Sequence, residues 1–155
     1  ENLTNCTAAP YASYLLNKES VNEKDLNNAI DLIRLSEDQF TFWNTTPNEY
    51  GLRMMATPCV FEQYKYQKPV DHSAHNVAMA FLDLYEKTGD KLAFAKAKAL
   101  VDNMTIVQNK GNGQMPTTWD FRTPYHDSNR SFWTNCTYAA VTALLRMAEI
   151  TENEK

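Results

Sequence analysis

The clearest hydrophobic pattern in the chain lies between Ser73 and Lys87. Ala74, Val77, Ala78, Phe81, Leu82 and Tyr85 recur at i, i+3, i+4, i+7, i+8 and i+11, the spacing of one helical face. Met79, Ala80 and Leu84 fill much of the opposite side, so the pattern predicts a helix that is apolar almost all round and sits in the interior. Asp71, just after Pro69, is the expected N-cap. Thr88-Gly89-Asp90 offers a glycine to end this helix and an aspartate to cap the next.

The following segment, Lys91 to Gln108, has a one-sided pattern. Ala93, Ala97, Leu100, Met104 and Val107 form a stripe, while Lys91, Lys98, Asp102 and Thr105 face away. This predicts a surface helix folded back on the inner one through a very short turn, an αα-hairpin. The unit recurs. "AFLDLYEKTGD" (Ala80 to Asp90) aligns with "ALLRMAEITEN" (Ala143 to Asn153) at an offset of 63, with Leu82 on Leu145 and Glu86 on Glu149. "YLLNKESVNEKDLNNAIDLI" overlays the Leu82 to Val101 segment at an offset of about 68. A further outer helix is predicted from Glu23 to Phe40, with Ser20 and Glu23 as its capping box, and a last inner helix from Thr134 to Ile150. No alternating strand pattern competes. The expectation is a single all-α domain over residues 1–155, built of antiparallel αα-hairpins. It begins and ends part-way through a repeat and reads as the C-terminal part of a larger helical array.

The connections are unequal. Inner-to-outer turns are short, whereas the outer-to-inner connections, Thr41 to Val70 and Lys110 to Trp133, are long. In a row of antiparallel hairpins these long loops emerge on one side, and long loops in a compact domain are usually functional. The first carries Phe42, Trp43, Glu49, Tyr50, Phe61, Glu62, Tyr64 and Tyr66. The second carries Trp119, Asp120, Phe121, Arg122, Tyr125, His126, Phe132 and Trp133. Flat aromatic faces among carboxylates, amides and arginines suit a polar ligand with apolar faces, such as a sugar. They also suit plain packing of the loops onto the helix ends.

Charge and composition narrow the alternatives. A formal net charge of −4 gives no electrostatic footprint for nucleic acid, and no run of about eighteen apolar residues predicts a membrane span. Cys6, Cys59 and Cys136 show no zinc-ligand spacing, and buried thiols are the simplest reading. Asn-x-Ser/Thr triplets at Asn2, Asn5, Asn44, Asn103, Asn129 and Asn135 read as a by-product of Asn- and Thr-rich composition, since two of them fall in or beside predicted helices. The first residue is Glu1 rather than Met. This points to a processed chain or a piece of a larger protein, with any export signal out of sight and a periplasmic or secreted location favoured.

Inner/outer helix pairs carrying "AFLDLYEKTGDKLAFAKAKAL" (Ala80 to Leu100), followed by a loop with "GNGQMPTTW" (Gly111 to Trp119), resemble the six-hairpin (α/α) toroid glycosidase superfamily. The resemblance covers Pro69 to Ile150 and includes a Gly-x-x-Pro-x-x-Trp-like loop. It implies part of an (α/α)6 toroid, a carbohydrate ligand, and a site on the rim lined by the inner-helix N-termini. It also implies that further hairpins of a parent protein complete the ring.

Glycoside hydrolysis needs two carboxyl groups across a cleft, one held protonated by its surroundings. Glu62 and Asp120 are the candidates, Asp120 because Trp119 and Phe121 flank it, although pairing with Arg122 is the somewhat stronger reading of it. Glu49 and Asp71 are weaker choices, the one in turn chemistry and the other a cap. His72, with His75 three residues on, is the candidate base for a lyase or epimerase. Trp43, Glu49, Tyr64, Tyr66, Trp119, Arg122, Tyr125 and Trp133 are the candidate ligand contacts. No metal or cofactor is expected, because no third ligand joins the two histidines at diagnostic spacing. The fold pattern leaves three readings open: a glycoside hydrolase-like domain, a non-catalytic helical-repeat module that binds through the same rim, and a sugar epimerase or polysaccharide lyase.

Overall fold

The structure is a computed structural model that describes residues 7–43, 58–62, 68–108, 111–118 and 132–153. Five helices dominate the described residues: α1 (Ala8–Leu16), α2 (Glu23–Phe40), α3 (Asp71–Thr88), α4 (Lys91–Val107) and α5 (Thr134–Asn153). Helix α1 packs on α2, and α3 packs on α4, as two hairpins. Helix α3 also packs against α1 on one side and α5 on the other. The result is an inner row, α1–α3–α5, backed by α2 and α4.

The hydrophobic periodicities explain these positions. In α3, Ala74, Val77, Ala78, Ala80, Phe81, Leu82 and Leu84 are all buried, because neighbours surround this helix on three sides. In α4 the predicted stripe Ala93, Ala97, Leu100, Met104 and Val107 is buried, and Lys91, Lys98, Asp102 and Thr105 are exposed. Asn103 is also buried at 4%, which leaves no room for a glycan on that side chain in the folded chain. The two described cysteines, Cys59 and Cys136, are buried.

The turn chemistry is equally local. Gly89 ends α3 with φ of 74°, in the left-handed region that glycine enters at no steric cost. One residue later the Asp90 carboxylate caps α4 by accepting from the Leu92 N–H at 2.8 Å. The two other expected caps fall elsewhere. Asp71 is the first helical residue of α3, with Val70 in the cap position and no side-chain cap bond. At α2 the cap is Asn22, whose Oδ1 accepts from the Asp25 N–H at 2.8 Å, in place of the Ser20–Glu23 box. Asn22 wins because it stands immediately before the helix, where its short side chain reaches the orphan donor.

A second departure from expectation is a small amount of β-structure. Strand β1 (Thr41–Phe42) pairs antiparallel with β2 (Cys59–Val60). Isolated bridges then join Phe61 to Pro69 and Val70 to Thr118. These pairings are too short to show as alternation in the sequence. They stitch segments of the two long connections side by side next to the start of α3. The second connection is also tied to α5: the Met115 N–H donates to Thr137 Oγ1 at 3.0 Å and the Trp133 N–H to Thr117 Oγ1 at 2.8 Å.

Candidate functional site

Helix α3 carries one polar stripe in its otherwise apolar surface: His72, His75 with Asn76, Asp83 and Glu86, with Met79 between. The stripe follows helical spacing and lies on the side of α3 away from α4. Helix α1 walls it with Pro10, Ser13 and Asn17, and α5 supplies Arg146. These residues line an open groove of about 400 Å³ whose floor is α3. From His75 to Asp83 the floor spans about 12 Å at the helical rise of ~1.5 Å per residue.

His75 marks one end, beside the stitched loops. It is partly buried, and its ring lies 6.2 Å from that of the exposed His72. Loss of hydration on burial, helped by the neighbouring charge of His72, lowers its pKa to about 4; a hydrogen bond to the Ala139 backbone opposes the shift. His75 is therefore neutral at pH 7. Its Nδ1 is buried and has no hydrogen-bond partner in the protein.

Asp83 marks the other end and is 7% exposed. Burial pushes its carboxyl above the ordinary range. Hydrogen bonding from Asn17 and proximity to Ser13 and Arg146 pull it back, while Glu86 adds to the rise. The Arg146 guanidinium stands 4.0 Å from Asp83 and donates through Nη2 to Glu86 Oε2. Arg146 Nε is buried without a partner, and the buried Ser13 hydroxyl, although close to Asp83, closes no hydrogen bond of ordinary geometry. Ser13 Oγ, His75 Nδ1 and Arg146 Nε are closed to solvent as well as unpaired, so they belong to the packed sides of the groove and not to its open face.

Two further cavities among the described residues are of a different kind. One of about 350 Å³ lies among α2, α3 and α4, lined largely by Ile30, Ile33, Phe81, Leu84 and Leu92, with its Lys96 and Glu37 already joined in an ion pair. The other, about 390 Å³, lies between α1 and the end of α2 and is mainly apolar.

Besides His75, four of the candidate catalytic or ligand-contact residues named from the sequence lie in described segments with their side chains. His72 is exposed at the start of α3, and its Nδ1 accepts from Asn76 Nδ2 at 3.4 Å. Glu62 is half-buried two residues after β2, next to the Phe61 that packs on Phe42 at 4.5 Å and bridges to Pro69. Trp133 is 63% exposed immediately before α5. Trp43 is turned toward the hairpins: its ring lies 6.0 Å from Phe81, with Lys96 Nζ 5.6 Å from its centre. Glu49, Tyr64, Tyr66, Trp119, Asp120, Arg122 and Tyr125 lie outside the described residues. The side chain of Asp71 is likewise outside the description.

The groove adds Ser13, Asn17, Asn76, Asp83 and Arg146, which the sequence pattern did not single out. A signal for part of it existed: an aspartate amid the apolar letters of α3, in helical register with His75 and Asn76. The strength of the apolar periodicity around it hid that register. Among the described residues no three His, Cys, Asp or Glu side chains gather as a metal site, and no helix is long and apolar enough to cross a membrane. Compared with protein-family models, with curated proteins and with solved structures, the chain matches none.

Proposed function

We propose that this chain is a carbohydrate-binding or carbohydrate-processing domain, glycoside hydrolase-like, whose ligand lies along α3 and meets the stitched loops at the His72–His75 end. The inner row α1–α3–α5 is then the concave side of part of an (α/α) toroid, with further hairpins completing the ring. The observation that carries this reading is an open groove of about 400 Å³ along α3, lined by the polar side chains of Ser13, Asn17, His75, Asn76, Asp83 and Arg146. Hydroxyl groups both donate and accept, so a polyhydroxylated ligand suits a lining of mixed donors and acceptors. Met79 on the floor and the exposed Trp133 offer apolar surface for the C–H faces of a sugar ring.

In the hydrolytic form of this reading, Glu62 and Asp120 supply the two carboxyl groups, and Asp83 is a third whose surroundings favour the protonated state. Incubation with a glycan panel, scored by release of reducing ends, tests it. Activity is expected to fall at least about a hundredfold on Glu62→Gln or Asp120→Asn, in keeping with general acid–base contributions. Turnover that survives both changes together removes those residues from the chemistry.

One observation favours a second reading, a sugar epimerase. His75 lines the groove and is neutral near pH 7, the form a base needs to take a proton beside a carbonyl. Solvent-deuterium incorporation into a sugar that is lost in His75→Gln, with Glu62 and Asp120 dispensable, separates this from hydrolysis.

A further inference from the structure

We propose that a second copy of this chain docks head to tail on the first, its free α1 face covering the free α5 face, and that two such contacts close a pair. The proposal rests on the partial-toroid reading above and names what supplies the remaining hairpins.

The contacts within the inner row define two faces on each helix. Toward the next helix, α1 presents Ser13 and Asn17 to Asp83 of α3, and α3 presents His75 and Glu86 to Ala139 and Arg146 of α5. About a third of a turn round each helix lies the face toward the previous one, which carries Asp83 on α3 and Ala139 with Arg146 on α5. Every contact in the row is therefore front to back.

At the ends of the row one face of each kind is exposed. On α5 it is the forward face. Tyr138, Val141, Leu145 and Glu149 follow His75, Ala78, Leu82 and Glu86 at the repeat interval of 63 residues. Ala78 and Leu82 are fully buried, whereas Tyr138, Val141 and Leu145 are exposed. On α1 it is the backward face. Tyr11 and Tyr14 stand about a third of a turn from Ser13 and Asn17; both are exposed, and their rings stack at 5.9 Å.

A single exposed apolar side chain is ordinary, but clusters at matching faces of a repeat mark an interface. A second copy is the occupant because this chain carries both halves of the one contact its row already uses. The surfaces also match in chemistry. The stacked tyrosines offer flat rings to Val141 and Leu145. Glu149 holds the place of Glu86, which accepts from Arg146, and the Tyr14 hydroxyl is the donor that α1 offers it. A two-fold axis relates the two contacts, so the closed pair leaves neither face open.

Sedimentation equilibrium of the intact chain, of Leu145→Arg and of Tyr14→Arg tests the proposal. The parent is expected to be a dimer at about 100 μM that parts on dilution. Each variant alone is expected to self-associate at least about thirtyfold more weakly, because it has lost one half of the contact. Mixed one to one, they are expected to form a heterodimer held by a single contact, the intact α1 face of Leu145→Arg on the intact α5 face of Tyr14→Arg. In the separated chain these residues lie on the surface, so the substitutions act on association rather than on folding, which circular dichroism checks. A parent that stays monomeric overturns the proposal and leaves the remaining hairpins to other parts of the protein. A variant that dimerises as the parent does also overturns it, as the mark of α1–α1 or α5–α5 pairing, and so does a mixture of folded variants that stays monomeric. None of these outcomes touches the glycan panel, and a dimer that turns over and binds no glycan removes the carbohydrate reading alone.

Discussion

Asp83 and Arg146 occupy the same position in successive inner helices, 63 residues apart in the chain, and face each other across the groove at 4.0 Å. The repeat brings them together: α3 begins at Asp71 and α5 at Thr134, the same interval apart. An acid and a base at equivalent steps of neighbouring inner helices form a lateral pair, and Glu86, one turn further along α3, shares the arginine.

The raised pKa of Asp83 gives a prediction with a definite sign. The folded chain holds this proton to higher pH than the unfolded chain does. Stability from this group is therefore present below the ordinary carboxylate range, and it is lost as pH rises through the folded value. Asp83→Asn removes that dependence while keeping the shape. Its melting temperature relative to the parent is expected to be more favourable at pH 7 than at pH 4, as read by thermal unfolding at the two values.

His75 gives the opposite sign. Its folded pKa of about 4 lies below the ordinary 6.5, so the folded chain resists a proton that the unfolded chain accepts. Stability from this group is full at pH 7 and declines as pH falls from about 6.5 toward 4. Denaturant titrations should show the parent losing about 2 kcal/mol more than His75→Gln between pH 7 and pH 5. Equal losses in the two proteins would place the histidine in water.

Leu82 and Leu145 are equivalent in the repeat but not in burial, at 0% and 60% exposed. Leu82→Ala is expected to cost about 2–5 kcal/mol through lost contacts and a residual cavity. Leu145→Ala is expected to stay within about 0.5 kcal/mol, as for a surface site. Chemical denaturation of both variants checks the difference.

The caps of α2 offer a finer test. Asn22→Ala removes the acceptor of the Asp25 N–H and should cost about 1 kcal/mol, whereas Ser20→Ala should cost little. Comparable losses would mean that the sequence-level capping box operates after all.

The helices of this protein are written locally. The apolar periodicity of residues 74–85, the stripe from Ala93 to Val107 and the Gly89-Asp90 turn each depend on interactions within a few residues. The sequence therefore determined the element order, the hairpin pairing and the closeness of α3 to the interior. It also determined that the long connections leave α2 and α4 on one side. It did not reveal the β1–β2 pairing or the Val70–Thr118 bridge, because one or two residues of ladder leave no alternation to read.

What only the tertiary structure decided is what each repeat position faces. Leu82 is buried because α3 has inner helices on both sides, while Leu145 is exposed because, among the described residues, α5 has one on a single side. Asp83 becomes a buried acid only because α1 brings Asn17 and Ser13 over it and α5 brings Arg146. Periodicity fixes the side of a helix on which a residue stands. Hydration, charge and hydrogen-bond partners come from helices distant in sequence, and they alone turned a polar stripe into a groove.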